Sequence, residues 1–380
     1  MTNKQWFNRV YENERDNLLE PGKVFVLTGP RRTGKTELIK HFLSSLSGNI
    51  YKGTGDDMRL REVLSSQYLQ NINTHFGGYD CIFIDEAQRI PEIGYGLKLL
   101  IDHNPEKIVV ITGSSSFALA KQTGEPLTGR QIVRKLYPVS VLELNSQFGG
   151  MFVDERLEEL LIFGSYPELL KKSARNEKIE YLVTLRDSYL LKDIFELEQL
   201  RYQGKLFDLL KMLAFQIGNE VSLNELSNKL DMAKQSIERY LDLLEKTFII
   251  IKVRGFSRNL RNEVTKTARY YFYDNGVRNA LINNFNDLSS RNDLGMLWEN
   301  FLFIERLKKQ EYRRMFSNNY FWRTYDKKEI DLIEEREGKL HAYEFKYSDR
   351  KVRIPKAWKL AYPDSETKIV SRNNYLEFLV

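Results

Sequence analysis

The sequence is poor in cysteine and in histidine. Its 380 residues include one cysteine, Cys81, which lies inside an apolar run, and four histidines without the spacing of metal ligands. A single cysteine excludes a disulfide framework and a cysteine-rich zinc site, and it suits a reducing compartment. We therefore expect a cytoplasmic protein without disulfides.

Long hydrophobic runs are also missing. No stretch reaches the roughly 18 apolar residues that a membrane-spanning helix needs, so the sequence predicts no membrane partner. The first residues, MTNKQWFNRVYENERD, are polar and unlike a signal peptide. The length exceeds that of one ordinary hydrophobic core, which predicts about two to four domains.

Charge of one sign is not strongly in excess. Lysine and arginine number 58 against 52 acidic residues, for a formal net charge of +6. This mildly basic balance permits a nucleic-acid partner but does not demand one.

The segment VFVLTGPRRTGKT, Val24 to Thr36, has the pattern of a phosphate-binding loop. Its last eight residues fit G-x-x-x-x-G-K-[ST]. The apolar run before the loop predicts a buried strand, and the apolar spacing after it predicts a helix. Glycines allow successive N–H groups to point at a phosphate, and the helix N-terminus adds partial positive charge. We expect the nucleotide to be bound by Gly29, Pro30, Arg31, Arg32, Thr33, Gly34, Lys35 and Thr36.

Two acids follow a second apolar run, CIFIDE, at Cys81 to Glu86. This run predicts a parallel strand whose carboxyl end meets the phosphate loop. Lys35 would then reach the β- and γ-phosphates and the Thr36 hydroxyl would bind Mg²⁺. Asp85 would hold a Mg²⁺-bound water, and Glu86 would deprotonate the attacking water. The alternative is that the acids simply end a strand.

A third strand is predicted in KIVVITGSSS, Lys107 to Ser116. Its polar tip would bring Ser114 to the γ-phosphate or the attacking water. Serine and glycine clusters also form ordinary turns, so this signal is the less specific one.

Arg130 ends the motif LTGR, just before a further strand candidate. An arginine in such a loop can act as a finger on the γ-phosphate of a neighbouring subunit, which would require a homo-oligomer. The alternative is a solvated or salt-bridged arginine.

The motifs GPRRTGKT, CIFIDEAQRIPE, ITGSSS and LTGR together resemble the AAA-type P-loop ATPases of bacteria and archaea. In particular, the chain is similar to a group whose C-terminal half is a conserved domain of unknown function. GSYPEL, YYFYDNGVRNAL and WENFLFIERL continue in the order of that family. The resemblance covers nearly the whole chain. It implies a five-stranded parallel sheet and ATP as the nucleotide.

Residues 205–254 have the pattern of a winged helix, with Ser222 to Glu225 as a capping box that opens a short helix. A second helix is predicted over Ala233 to Lys246, and the basic segment Arg254 to Arg269 is a candidate wing. Helix-turn-helix units bind DNA, but they also serve as protein-contact modules. The positions that would face bases or phosphates are Lys234, Gln235, Ser236 and Arg239.

Asp331 and the Glu344-Phe-Lys346 segment lie on predicted strands near the C-terminus. Two carboxylates side by side would repel each other unless a divalent ion such as Mg²⁺ lay between them. Lys346 would then steady an attacking water, and Glu299 on a predicted helix would supply a further carboxylate. The set resembles the PD-(D/E)xK nuclease superfamily. The alternatives are a salt-bridged sheet edge and a binding platform that does not cut.

The predicted fold class is α/β. A P-loop AAA-type parallel sheet with flanking helices precedes a helical connector, a winged helix and a small restriction-endonuclease-like α/β domain. We expect an ATP-hydrolysing enzyme with a DNA-binding C-terminal half that carries a candidate cleavage site. The alternative is a nucleotide-dependent switch or assembly scaffold with protein partners. The predicted domain boundaries are 1–145, 146–203, 204–274 and 275–380.

Overall fold

The computed structural model describes residues 6–114, 123–190, 203–257, 268–324, 326, 328–348 and 353–380. The chain forms two compact units, Met1–Pro138 with Lys246–Phe248, and Val139–Glu245 with Ile249–Val380. The predicted boundary after residue 145 therefore falls inside the second unit. The reason is local: the Val141 N–H donates a 2.7 Å hydrogen bond to the Glu305 carboxylate of that unit.

The first unit contains a five-stranded parallel sheet, as predicted. The strand order is β2-β3-β4-β1-β5, so the chain crosses over between non-adjacent strands, as parallel sheets require. The strands are β1 (Val24–Thr28), β2 (Ile50–Thr54), β3 (Cys81–Asp85), β4 (Ile108–Gly113) and β5 (Gln131–Lys135).

Helices accompany this sheet and bury its central strands. All five residues of β1 are buried, which explains why this strand is a continuous apolar run and not an alternating one. Residues from α3, α4 and α5 pack in one core cluster with side chains of β1, β3 and β4. The helices are α1 (Arg15–Leu18), α2 (Lys35–Leu43), α3 (Met58–Ser65), α4 (Leu69–Phe76) and α5 (Ile93–His103).

The described part of the predicted connector is mostly helical, as expected. A Cβ on Gly276 would lie only 1.9 Å from the Phe163 carbonyl oxygen, so the helix Asn275–Leu281 (α13) approaches the end of the helix Gly150–Phe163 (α7) backbone to backbone. The connector therefore packs as part of the second unit. Its residues 191–202 lie outside the described ones. The helices are α6 (Val141–Phe148), α7 (Gly150–Phe163), α8 (Pro167–Leu170) and α9 (Arg175–Leu185), and α13 is Asn275–Leu281.

The next segment has helices and strands in the order α10-β6-α11-α12-β7-β8. Strand β8 pairs antiparallel with both β6 and β7. Ser222 caps α11 by accepting a hydrogen bond from the Glu225 N–H, as the sequence predicts. Residues 258–267 of the predicted wing lie outside the described part of the chain. The elements are α10 (Gln203–Phe215), β6 (Glu220–Val221), α11 (Leu223–Leu230), α12 (Lys234–Lys246), β7 (Ile250–Gly255) and β8 (Ala268–Phe272).

The C-terminal strands extend this same sheet. The order of its seven strands is β12-β11-β10-β9-β7-β8-β6, and β7 pairs in parallel with β9 at Arg254 and Gly255. The predicted boundary at residue 274 therefore does not separate two sheets, because backbone pairing continues across it. The elements are α14 (Leu294–Tyr312), β9 (Asn318–Arg323), β10 (Glu329–Arg336), β11 (Lys339–Phe345), α15 (Lys356–Ala361), β12 (Glu366–Val370) and α16 (Tyr375–Leu379).

Among the described residues, each helix is too short or too polar to cross a bilayer.

Candidate functional site

The loop between β1 and α2 has the geometry that its glycines predict. Gly29 and Gly34 have φ values of +144° and +92°, which L side chains rarely adopt. A Cβ on Gly29 would also lie 2.1 Å from the Leu136 carbonyl oxygen. Leu136 is held in place because its N–H donates a 2.8 Å hydrogen bond to the Thr28 carbonyl. The loop is therefore packed directly against the chain that follows β5.

Lys35 begins α2 and its side chain is buried in the loop. Its Nζ donates 2.8 Å hydrogen bonds to the carbonyl oxygens of Gly29 and Pro30. The Thr33 hydroxyl donates to the Pro30 carbonyl at 2.9 Å. A cation is thus held inside a turn at a helix N-terminus, where a phosphate group is favoured. Arg31 is half-buried and Arg32 is exposed with a φ of +64°.

Arg9 supports the loop from outside, a role that no sequence motif indicates. Its buried guanidinium donates to the Thr33 carbonyl at 2.7 Å and to the Tyr137 carbonyl at 2.6 Å. Two charge-assisted hydrogen bonds connect the loop to the segment after β5. A lone arginine in a polar N-terminal segment carries no pattern that would have predicted this role.

Asp85 at the end of β3 joins the first two motifs. Its Oδ2 accepts a 2.7 Å hydrogen bond from the Thr36 hydroxyl, and its Oδ1 accepts one from the Thr112 hydroxyl. The Glu86 N–H donates to Oδ1 at 3.0 Å. Because β1, β3 and β4 are neighbours and parallel, their carboxyl ends bring these groups to one edge of the sheet.

Glu86 follows with a left-handed backbone, at a φ of +49°. Its Oε2 accepts hydrogen bonds from the Gln88 side-chain amide and, at 3.3 Å, from the Ser114 hydroxyl. The Gln88 amide also donates to the Ser114 hydroxyl at 3.2 Å. The predicted residues Glu86 and Ser114 are therefore in contact. Gln88 completes the group, and no spacing rule had singled it out.

Arg130 lies at the other end of the same sheet. Its carbonyl accepts a hydrogen bond from the Val24 N–H, and Val24 is the first residue of β1. The phosphate loop starts after Thr28, four residues further along the strand and about 13 Å away. The Arg130 Nε donates to Asp102 at 2.6 Å, and the arginine side chain is 41% exposed. Arg130 is thus directed away from the loop of its own chain.

The second unit brings together the acidic residues predicted near the C-terminus. Asp331 and Glu344 lie on the paired strands β10 and β11, where the Phe345 N–H donates to Asp331 at 2.8 Å. The Lys346 ammonium lies 2.8 Å from Glu344. Glu299 on α14 accepts a 2.7 Å hydrogen bond from the Tyr271 hydroxyl. We call Glu299, Glu329, Asp331 and Glu344 the acid cluster.

Burial controls the protonation of this cluster. Loss of solvation, followed by repulsion from Asp331, raises the pKa of Glu344 to about 7 and that of Glu299 to about 8. Burial also raises the pKa of Asp331. Each of these groups therefore favours its neutral form more than it would in water.

Arg269, the last residue of the candidate wing segment, lies on β8 and supplies a positive charge to the acid cluster that the sequence did not predict. Its guanidinium lies 2.7 Å from Glu329, 3.3 Å from Glu299 and 3.8 Å from Asp331. Within the described ranges, no group of three or more His, Cys, Asp or Glu side chains has an arrangement that could hold a metal ion. The predicted Mg²⁺ ligands Glu299, Asp331 and Glu344 therefore do not fit that role as arranged, because an arginine already neutralises two of them.

The family match of the first unit agrees with the P-loop geometry of its site. Residues 21–145 match the family described as AAA domain. Residues 154–288 and 294–376 match two families described as domains of unknown function, DUF8612 and DUF4143.

The chain is similar to proteins of two bacteria and an archaeon that are each described as uncharacterized. One from Mycobacterium tuberculosis is 26% identical over 337 residues, which is 86% of this chain and 71% of the relative. One from Haemophilus influenzae is 26% identical over 335 residues, with coverage of 82% and 79%. One from Methanocaldococcus jannaschii is 26% identical over 351 residues, with coverage of 86% and 75%.

A solved structure shares the fold. A Walker-type ATPase of Pyrococcus abyssi superposes with a TM-score of 0.50 and 18% identity, over 74% of this chain and 97% of its own. Together with the matched family and the loop geometry, this likeness supports an AAA-type P-loop ATPase domain in the first unit, as the motifs predicted.

Substitution of Gly29 by alanine tests the packing of the loop. The Cβ would collide with the Leu136 carbonyl, so we expect the first unit to lose roughly 1–3 kcal/mol of stability. Gly78→Ala is the matched control, because Gly78 is an exposed turn residue with open space around its Cβ position. Calorimetric unfolding of the full chain measures both. Equal midpoints for the two variants would contradict the proposed close contact.

Proposed function

We propose that the chain binds ATP in its first unit and hydrolyses it. The observation that carries this proposal is the 2.7 Å hydrogen bond between the Thr36 hydroxyl and the Asp85 carboxylate. It brings the two halves of a phosphate-loop site into contact beside the buried Lys35 ammonium. The match of residues 21–145 to the AAA domain family supports the same conclusion.

The oxygen ligands at this point suit Mg²⁺. A hydroxyl and a carboxylate are the hard donors that this ion prefers, and phosphate oxygens commonly complete its shell. Thr36 and Asp85 would therefore hold it, and when bound it neutralises charge on the β- and γ-phosphates.

The residues of this chain divide the remaining work. Lys35 would transfer its hydrogen bonds from the loop carbonyls to phosphate oxygens of ATP. A water oxygen attacks the γ-phosphorus, its proton passes to the Glu86 carboxylate, and the bond to the ADP oxygen breaks. Gln88 and Ser114 hold that carboxylate in place through the hydrogen bonds that they donate to it.

Replacement of Glu86 by glutamine should separate binding from hydrolysis. Removal of a general base lowers turnover about 10²- to 10⁴-fold, whereas the phosphate contacts and hence ATP affinity remain. Steady-state phosphate release and calorimetric ATP titration measure the two quantities. Glu62→Gln, an exposed glutamate on α3, serves as the control. Unchanged turnover in Glu86→Gln would remove Glu86 as the base.

Arg130 is proposed to act on the ATP of a second copy of the chain. Its position at the opposite end of β1 from the phosphate loop leaves it unsuited to its own site. Its partly exposed side chain needs only to exchange Asp102 for a phosphate. An arginine supplied by a neighbour stabilises the charge of the transition state. This role requires a homo-oligomer.

A mixing experiment tests this role of Arg130. Arg130→Ala and Glu86→Gln should each be inactive alone, and mixtures should regain activity because one subunit supplies the arginine to a partner site with an intact base. ATP turnover is measured across mixing ratios, with Arg59→Ala in place of Arg130→Ala as a control for an exposed arginine. Absence of rescue at every ratio would argue against action between subunits.

We further propose that the second unit binds DNA through α11 and α12. The order α10-β6-α11-α12-β7-β8, with β8 paired to β6 and β7, supports a winged helix. Lys234, Gln235 and Arg239 are exposed on α12, whereas Ser236 is half-buried. The same exposed surface includes the acids Glu238 and Asp242, which favours a limited number of phosphate contacts.

Salt dependence distinguishes DNA binding from the rival function, a nucleotide-dependent scaffold with protein partners. Lys234→Ala should weaken duplex binding and lower the slope of log affinity against log salt by about 1, because one phosphate contact is lost. Fluorescence anisotropy at several salt concentrations measures both. Lys171→Ala, an exposed lysine after α8, should change neither. Affinity for DNA that does not vary with salt would favour the scaffold.

DNA cleavage by Asp331, Glu344 and Lys346 is a second candidate function. Cleavage is supported by the proximity of Asp331 on β10, Glu344 on β11 and Lys346, which follows β11. The contact of Arg269 with Asp331 opposes it, since a guanidinium occupies part of the carboxylate surface that a metal would need. Binding of DNA without cleavage is the function that this arrangement supports better.

A further inference from the structure

We propose that Arg269 is a built-in cation of the acid cluster and excludes divalent metal ions from it, so that loss of Arg269 converts the cluster into a metal site. The inference concerns the second unit alone and does not depend on ATP hydrolysis in the first.

Arg269 is positioned to serve as such a cation. It is 3% exposed, and its guanidinium contacts three of the four carboxylates of the acid cluster. The guanidinium carbon also lies 4.5 Å from the ring centre of Phe321 on β9, a favourable cation–π distance. Salt bridges and an aromatic ring thus hold the guanidinium in place. Arg269 is therefore a fixed, buried cation.

Five of the eight carboxylate oxygens of the acid cluster face a cation or accept a hydrogen bond. Glu299 Oε1 accepts from Tyr271 and faces Arg269, while Asp331 Oδ2 accepts from the Phe345 N–H and Oδ1 faces Arg269. Glu344 Oε1 is paired with Lys346, but its Oε2 is buried with no hydrogen-bond partner among the described residues. Glu344 Oε2 is therefore a buried potential metal ligand, and Arg269 covers one oxygen each of Glu299, Glu329 and Asp331.

Charge balance predicts the consequence of removing Arg269. Among the described residues, two cations contact the four carboxyl groups of the cluster, Arg269 and Lys346. Without the guanidinium, the four carboxyl groups would share one ammonium in a largely buried site. Because an uncompensated buried charge is strongly destabilising, they would have to take up protons or a cation. A divalent cation with oxygen ligands from Glu299, Asp331 and Glu344 would restore the balance.

Mn²⁺ binding to the full-length, nucleotide-free protein tests this proposal. Isothermal titration and Mn²⁺ electron paramagnetic resonance should show one more Mn²⁺ site in Arg269→Gln than in the wild type. The dissociation constant of this site should be at least tenfold lower than that of any residual Mn²⁺ binding to the wild type. The site should disappear in Arg269→Gln/Asp331→Asn. Mn²⁺ should also raise the thermal midpoint of Arg269→Gln more than that of the wild type.

Arg306→Gln is the matched control. Arg306 is equally a buried arginine, but it pairs with a single carboxylate, Glu334 on β10, through two hydrogen bonds. Its loss removes a buried ion pair without uncovering a group of acids. We expect a lower thermal midpoint for this variant and no gain of a Mn²⁺ site.

Three results would overturn the proposal. The first is a wild-type Mn²⁺ site that Asp331→Asn removes, a comparison that does not require any Arg269 variant to fold. The second is a folded Arg269→Gln protein that binds no more Mn²⁺ than the wild type. The third is Mn²⁺-dependent DNA cleavage by the wild type that is lost in Asp331→Ala.

Discussion

The hydrogen bond between Thr36 and Asp85 is the interaction on which the first unit depends. Two segments that are 49 residues apart in the chain meet there, because β1 and β3 both flank β4 in one parallel sheet. The strand order therefore positions Thr36 next to Asp85. Gly29 contributes because its missing Cβ allows the Leu136 backbone to pack against the loop. The Glu86 carboxylate and the Ser114 hydroxyl that donates to it lie at the same end of the sheet.

The second unit is governed by a different constraint, the burial of charge. Arg269 comes from the segment with the helix-turn-helix pattern, whereas Glu329 and Asp331 come from β10, and all three lie in one continuous sheet. The candidate DNA-binding element and the acid cluster are therefore tied by both backbone pairing and ion pairs. If α12 binds DNA, the acid cluster would keep a fixed position relative to that DNA, because the sheet contains strands from both elements.

Much of this arrangement could be predicted because the signals are local. Glycine spacing predicted the turn before Lys35, apolar runs predicted β1, β3 and β4, and the capping residue Ser222 predicted the start of α11. The roles of three residues, Arg9, Gln88 and Arg269, could not be predicted. Their partners either come next to them only in the folded chain or stand at a spacing that belongs to no known motif. The continuity of one sheet across residue 274 could not be predicted for a similar reason: the pairing of β7 with β9 leaves no mark on the composition of either strand.

The sequence by itself determined the phosphate loop and the apolar strands β1, β3 and β4, since glycine spacing and strand patterns encode them. Only the tertiary structure decided what the charged side chains contact. It directed Arg130 away from its own loop, and it placed Arg269 among the carboxylates where a metal ion was expected. The physical reason is that the function of a charged side chain depends on the opposite charge closest to it. That opposite charge often belongs to a residue far away in the sequence.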